Sequence, residues 1–233
     1  MKEKTMDYNP IMVAMDVADL NVFDENLERL APYVGTFKIG LEAMTQFGAQ
    51  TLVDKIHNAR SSVFLDGKFC DIPNTVGKAS QVVADMGAAF FNVHASCGFK
   101  SIEAAAKVKG ESKLLVVTVL TSMSEQDSQQ IFSGATQDKV KQFAQMAVDA
   151  GADGVVCSPL ELELFNAEPG LKALLKVTPG IRPESAQKDD QTRTLTPKQA
   201  IEQGADHLVI GRPIMQAQDP KQAAKAILDS LQA

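Results

Sequence analysis

Residues 66, 68 and 71 are Asp, Lys and Asp, and they follow directly on the apolar run Val63-Phe64-Leu65. A charged turn closing a strand would look like this. So would a site that holds a protonated lysine between two carboxylates. Asp66 and Lys68 are two apart, so in an extended chain they point the same way. Asp71 lies past the strand, where the chain must turn before Pro73. A second polar residue, Lys38, interrupts the apolar strand "TFKIG". Taken alone it fits a lysine reaching for the rim with its stem buried. Late in the chain, "TPGIRPE" sets Gly180 beside Arg182 and "VIGRPIM" sets Gly211 beside Arg212. Two Gly–Arg pairs in succession suit an anion held by backbone N–H groups and a nearby cation.

Short apolar runs alternate with longer amphipathic ones along the chain. Strands are expected at 10–16, 36–40, 62–66, 89–95, 113–120, 154–158, 174–180 and 207–211. Helices are expected at 22–33, 41–59, 74–86, 99–109, 137–150, near 159–166, near 197–203 and near 220–231. Eight strand–helix units in 233 residues predict one α/β domain over 1–233, a (β/α)8 TIM barrel. "DMGAAFFNV", "DAGADGVV" and "EQGADHLVI" repeat one junction of helix end, Gly, Ala and apolar strand. It puts Gly87, Gly151 and Gly204 where a left-handed helix cap is wanted. An open doubly wound sheet is the competing architecture, but "MDVADLN" after the first strand lacks that fold's glycine-rich turn. Two long loops, 121–136 and 181–196, read as lids.

In such a barrel the chemistry sits at the C-terminal ends of the strands, and loops seven and eight bind phosphate. Those ends carry Asp16, Lys38, Asp66 with Lys68, His94, Thr121 with Ser122, Gly180 with Arg182, and Gly211 with Arg212. His94 reads as a packed or hydrogen-bonded structural histidine, and Cys97 and Cys157 as small core or rim residues. The net charge is −6, which speaks against non-specific nucleic-acid binding. Any anionic ligand must therefore be met by local positive charge. The three cysteines are odd in number and scattered, which suits a reducing cytoplasm. Neither Cys nor His shows metal-ligand spacing. No apolar run reaches membrane-spanning length, and the polar N-terminus has no apolar segment after it.

Taken together, these residues resemble the orotidine 5′-phosphate decarboxylase family of the bacterial type. Its pattern, Asp-x-Lys-x-x-Asp-Ile-Pro-Asn-Thr, stands here as Asp66, Lys68, Asp71, Ile72, Pro73, Asn74 and Thr75. Asp16, "FKIG", "VTVLTSM", "VTPGIRP" and "VIGRPI" extend the likeness over the whole chain. The resemblance implies a (β/α)8 homodimer, without metal or cofactor, that converts orotidine 5′-monophosphate to uridine 5′-monophosphate (UMP) and CO2. It implies that Asp16 and Lys38 bind the ribose hydroxyls, with Lys38 also tied to the charged catalytic network, and that Lys68, between Asp66 and Asp71, donates a proton. Asp71 and Thr75 would reach into the partner subunit's site. Ser122, beside Thr121, would meet the pyrimidine. Arg182, Gln191, Gly211 and Arg212 would hold the phosphate side, with Gln187 a rival to Gln191 on the lid. A related group shares the barrel and the short motif but works on sugar phosphates through Mg2+. The "DIPNT" continuation and Lys38 speak against it. A non-catalytic phosphate-binding barrel is the remaining alternative, and the complete Lys-Asp-Lys-Asp set speaks against that.

Overall fold

The computed structural model describes residues 8–183 and 195–232. Eight parallel strands close into a barrel in chain order. They are β1 (Ile11–Ala14), β2 (Thr36–Ile39), β3 (Ser62–Phe69), β4 (Phe90–His94), β5 (Lys113–Val117), β6 (Gly154–Val156), β7 (Leu175–Thr178) and β8 (His207–Ile210). The helices are α1 (Leu20–Leu30), α2 (Leu41–Phe47), α3 (Ala49–Asn58), α4 (Pro73–Asp85), α5 (Phe99–Val108), α6 (Glu125–Phe132), α7 (Thr136–Asp149), α8 (Leu162–Ala167), α9 (Pro197–Glu202), α10 (Arg212–Met215) and α11 (Pro220–Gln232). The barrel predicted from the strand count is the one observed.

Period-two alternation decides what each strand residue does. Ile11, Val13, Phe37, Ile39, Val63, Leu65, Phe91, Val93, Leu208 and Ile210 point out and pack with the helices. Their neighbours Met12, Ala14, Phe64, Leu115, Val177 and Val209 point in and fill the lumen. The same parity turns Lys38, Asp66 and Asn92 inward. Below them Phe90 packs edge-on against Phe64, with centroids 6.3 Å apart, and against His207 at 5.0 Å. Tyr8 covers His207 at 5.1 Å. The barrel is thus plugged at its floor by these rings.

Gly87, Gly151 and Gly204 have φ of 78°, 82° and 98°, the left-handed caps that the repeated junction predicted. Three expectations need correction. The helix expected over 41–59 is two helices, because Gly48 breaks it at φ 80°. The expected loop 121–136 contains α6, started by a Ser124–Asp127 capping box and ended by Ser133 in the left-handed region. A short helix, α10, directly follows β8, so Arg212 is a helical residue rather than a loop one.

Strand β3 runs three residues further than expected, through Lys68 to Phe69. Its register with β4 breaks there. Leu65 pairs with Phe91 and Phe69 with Val93. Asp66, Gly67 and Lys68 therefore stand opposite one residue, Asn92. This is a bulge, and Lys68 sits in it at φ 47°.

Candidate active site at the barrel mouth

A cavity of about 330 Å3 opens at the strands' C-terminal ends. Asp16, Lys38, Asp66, Lys68, Thr121, Gly180, Arg182, Gly211 and Arg212 all line it, with Phe64, Val117, Val119, Leu120, Val156 and Val209 supplying an apolar wall. Residues up to 196 apart in sequence thus share one chamber, because each follows or ends a barrel strand.

Asp66 organises the charges. Its Oδ1 accepts from Lys68 Nζ at 2.6 Å and from Asn92 Nδ2 at 2.7 Å. Its Oδ2 lies 3.1 Å from Lys38 Nζ, which is itself 3.5 Å from Asp16 Oδ1. Burial alone would push the Asp66 carboxyl up. The ammonium groups of Lys38 and Lys68, with hydrogen bonds from Lys68 and Asn92, outweigh it and hold Asp66 below the usual carboxylate range. Lys38 is only 7% exposed, so it belongs to this network and not to the solvated rim. Lys68 is half-buried, its ammonium facing the cavity. Two aspartates were expected to flank it, but within one chain only Asp66 touches it. The Asp71 carboxylate instead accepts from the N–H of Ile72 at 2.7 Å, in the exposed turn before α4.

Asp71 lines a separate surface hollow with Cys70, Ile72, Pro73, Cys97 and Phe99. Ile72 is 65% exposed, and Thr75 beside it is exposed too. Ser122 is exposed next to Thr121 and is not part of the cavity lining. Gln187 and Gln191 lie outside the described residues. At the base of their segment, Arg182 N–H donates to Leu195 O at 2.9 Å, and Ile181 bridges to Leu195. Gly180 turns the chain after β7 at φ 79°, a conformation that suits glycine.

His94 has the structural role expected. Its Nδ1 accepts from the N–H of Ser96 at 3.2 Å and lies 2.7 Å from Ser96 Oγ. Burial and then the Lys68 ammonium lower its pKa, favouring the neutral ring. Burial pushes the Cys97 thiol up to about 11 and the buried Cys157 thiol higher still. Neither is an activated nucleophile.

Two residues of the site were not singled out from sequence. Asn92 is 1% exposed and bonds both Asp66 and the backbone of Lys68. Its signal was a polar residue at an inward position of the apolar "FFNVH" strand. Gly40 is the other. A Cβ there would stand 2.7 Å from Asp16 Oδ1 and 2.9 Å from Lys38 Nζ, so a side chain at this position would push the tips of that pair from where they stand.

Among the described residues, no group of three or more His, Cys, Asp or Glu side chains is placed to hold a metal ion. None of their helices is long and apolar enough to cross a membrane.

The sequence profile described as "Orotidine 5'-phosphate decarboxylase / HUMPS family" matches residues 9–227. The chain is 45% identical to the orotidine 5'-phosphate decarboxylase of Shewanella sediminis, over 97% of this chain and 98% of that protein. It is 42% identical to that of Thermobifida fusca, over 96% of each. Among solved structures it is similar to orotidine 5'-phosphate decarboxylase from Lactobacillus acidophilus. That match has a TM-score of 0.83 at 35% identity and covers 97% of this chain and all of the other. The Methanocaldococcus jannaschii enzyme, crystallised with the inhibitor BMP, has a TM-score of 0.77 at 24% identity, a likeness of fold.

Proposed function

The chain belongs to the orotidine 5'-phosphate decarboxylase / HUMPS family, and from that premise we propose how its barrel mouth converts orotidine 5′-monophosphate to UMP and CO2, the last step of de novo UMP synthesis. The observation that carries the reading is Asp66, gripped by Lys38 and Lys68 in a cavity that also holds Arg182 and Arg212. The substrate brings a phosphate and a carboxylate. The protein's net charge of −6 repels both, and these four cations supply the local attraction.

Arg182, Arg212 and the backbone at Gly180 and Gly211 hold the phosphate, with Gln191 or Gln187 added from the adjoining segment. Asp16 and Lys38 take the ribose hydroxyls. Thr121 and Ser122 meet the pyrimidine, whose faces suit the apolar wall. Lys68 then stands at C6. The C6–carboxylate bond breaks, CO2 leaves, and its bonding electrons remain on C6. The Lys68 ammonium stabilises that charge where it develops and passes a proton to it. The product is UMP, and solvent returns the proton to Lys68. The stabilisation required lies within roughly 8–23 kcal/mol. Phosphate contacts far from C6 supply part of it by fixing the substrate and drying the site.

We assign no metal or cofactor to this chemistry. The two carboxylates in the cavity are already paired with lysines, and Lys68 performs the stabilisation that a Lewis acid would otherwise supply. The working unit is a homodimer in the cytoplasm. Asp71 and Thr75 are exposed, beside an uncovered Ile72, and neither lines its own chain's cavity. A twofold partner brings them to the other mouth, where Asp71 completes the flanking of Lys68.

The test is loss of orotidylate ultraviolet absorbance on adding the purified protein, with and without EDTA. Turnover at the same rate in both is expected. No turnover, or turnover abolished by EDTA and restored by Mg2+, overturns the reading and favours the sugar-phosphate chemistry.

A further inference from the structure

The bulge in β3 raises a question that the charged set does not answer: what holds Lys68 where it is? Its φ of 47° belongs to the left-handed region, which a residue with a Cβ adopts only when its surroundings impose it. Asp66, Gly67 and Lys68 together face Asn92 alone, so the ordinary strand-to-strand ladder is broken there. The Asn92 side chain takes its place. Its Oδ1 accepts the backbone N–H of Lys68 at 2.7 Å, and its Nδ2 donates to Asp66 Oδ1, also at 2.7 Å. That same Asp66 oxygen accepts from Lys68 Nζ. One buried amide thus grips the lysine's backbone and the carboxylate that holds the lysine's tip. An amide can do both because it carries an acceptor and a donor on one carbon.

We propose that Asn92 is a positioning residue: it stands in for the missing ladder of the β3 bulge and fixes where the Lys68 ammonium meets the substrate. This rests on the reading of Lys68 as proton donor and goes beyond it, since Asn92 does not line the cavity and acts through Asp66 and Lys68. Displacing a catalytic group by about 1 Å can cost about 100-fold in rate, so holding the Lys68 backbone and its carboxylate partner bears directly on turnover.

The experiment uses the full-length enzyme and four proteins: wild type, Asn92→Leu, Asn92→Asp and Lys68→Ala. Asn92→Leu keeps the branched shape and the number of heavy atoms, with slightly bulkier methyl groups, and removes both hydrogen bonds. Its kcat should fall about 100-fold with KM for orotidylate nearly unchanged. Its acid limb should move to higher pH, because Asp66 loses a donor to its charged form. The other groups facing Asp66 are Lys38, backed by Asp16, and Lys68, with His94 beyond it, and these are the same in both proteins. Asn92→Asp keeps an acceptor for the Lys68 N–H but sets a second carboxyl against Asp66. When protonated it donates as the amide did; when ionised it repels. It should therefore work best at low pH and lose activity as pH rises, a descending limb that Asn92→Leu lacks. Melting temperatures confirm that each variant is folded at the assay temperature.

Wild-type kcat in Asn92→Leu overturns the inference, as does a loss matched by unfolding with the acid limb unmoved in both variants. Lys68→Ala keeps the two ideas separate. If it retains kcat, the proton-donor reading fails. If it is inactive while the Asn92 variants are normal, only the role of Asn92 fails.

Discussion

Acid should destabilise this barrel through its floor. His207 opens β8 on the inward face, between the rings of Phe90 and Tyr8. Its Nδ1 is buried and has no hydrogen-bond partner among the described residues. Burial therefore pulls the imidazole down to about 4 from the ordinary 6.5, against the opposing pull of Asp206. Asp206 is otherwise engaged, since its carboxylate accepts the Lys176 N–H at 2.8 Å and faces Lys176 Nζ at 3.6 Å. The folded-state pKa is depressed, so the unfolded chain binds a proton that the folded one refuses between pH 6.5 and 4. Stability is full above about 6.5, falls as pH drops through that window, and levels off below about 4. At 1.36 kcal/mol per pKa unit the loss comes to about 3 kcal/mol, a large share of the ~5–15 kcal/mol that holds a typical domain together. The assay is urea unfolding of wild type and His207→Leu at about pH 7, 5.5 and 4, values that bracket the window. The difference between the two proteins cancels titrations common to both, Asp66 included. Wild type should lose about 3 kcal/mol relative to the variant on going from about pH 7 to 4. A difference that stays flat across the window would refute the assignment of an uncharged, buried His207.

The catalytic reading gives three further expectations. Lys68→Ala should remove nearly all kcat while UMP binding stays measurable by calorimetry, because Lys68 acts on charge that appears in the transition state; near-normal kcat would displace it as proton donor. Arg212→Ala should cut kcat/KM for orotidylate by the equivalent of about 2–5 kcal/mol and hardly affect the phosphate-free nucleoside. Equal losses on both substrates would make Arg212 structural. Mixing inactive Lys68→Ala and Asp71→Ala proteins under subunit exchange should restore activity, since each mixed dimer has one site with both lesions and one with neither. Exchange confirmed by mass without recovery would place Asp71 in its own chain's site.

The barrel was legible because its signals are local and repeated. Apolar strands, amphipathic helices and the Gly-Ala junction recur, and the glycines at 87, 151 and 204 take the conformations that the junction requires. The mouth was legible because the barrel's strand ends converge, so a polar residue at each end is enough to assemble Asp16, Lys38, Asp66, Lys68, Arg182 and Arg212 in one cavity. Helix α6 left a readable trace, the Ser124–Asp127 capping spacing, which the polar composition of the loop obscured. The bulge left none. A strand that slips by two residues looks like any other strand in one dimension. Asn92 has meaning only once Asp66 and Lys68 are seen opposite it. Gly40 is hidden in the same way, since its value is the space it leaves for two side chains from different strands.

The geometry also weighs two accounts of how CO2 is expelled. In one, Asp66 repels the substrate carboxylate and the strain is relieved as CO2 departs. Two unit charges about 4 Å apart at an effective dielectric near 20 interact by about 4 kcal/mol. That is a ceiling here, because Asp66 is already neutralised from both sides by Lys38 at 3.1 Å and Lys68 at 2.6 Å. Against a requirement of roughly 8–23 kcal/mol, repulsion supplies the smaller part even before this discount. In the proposed mechanism the Lys68 ammonium works in the opposite direction. Its attraction grows as the electron pair appears on C6, inside a cavity whose floor is plugged by Phe64, Phe90 and His207 and whose walls are largely apolar. An interaction that strengthens along the reaction lowers the barrier directly. The contribution of Asp66 is then of another kind. Its carboxylate lets two ammonium groups stand in one small chamber, and in the proposed mechanism it aims one of them at C6.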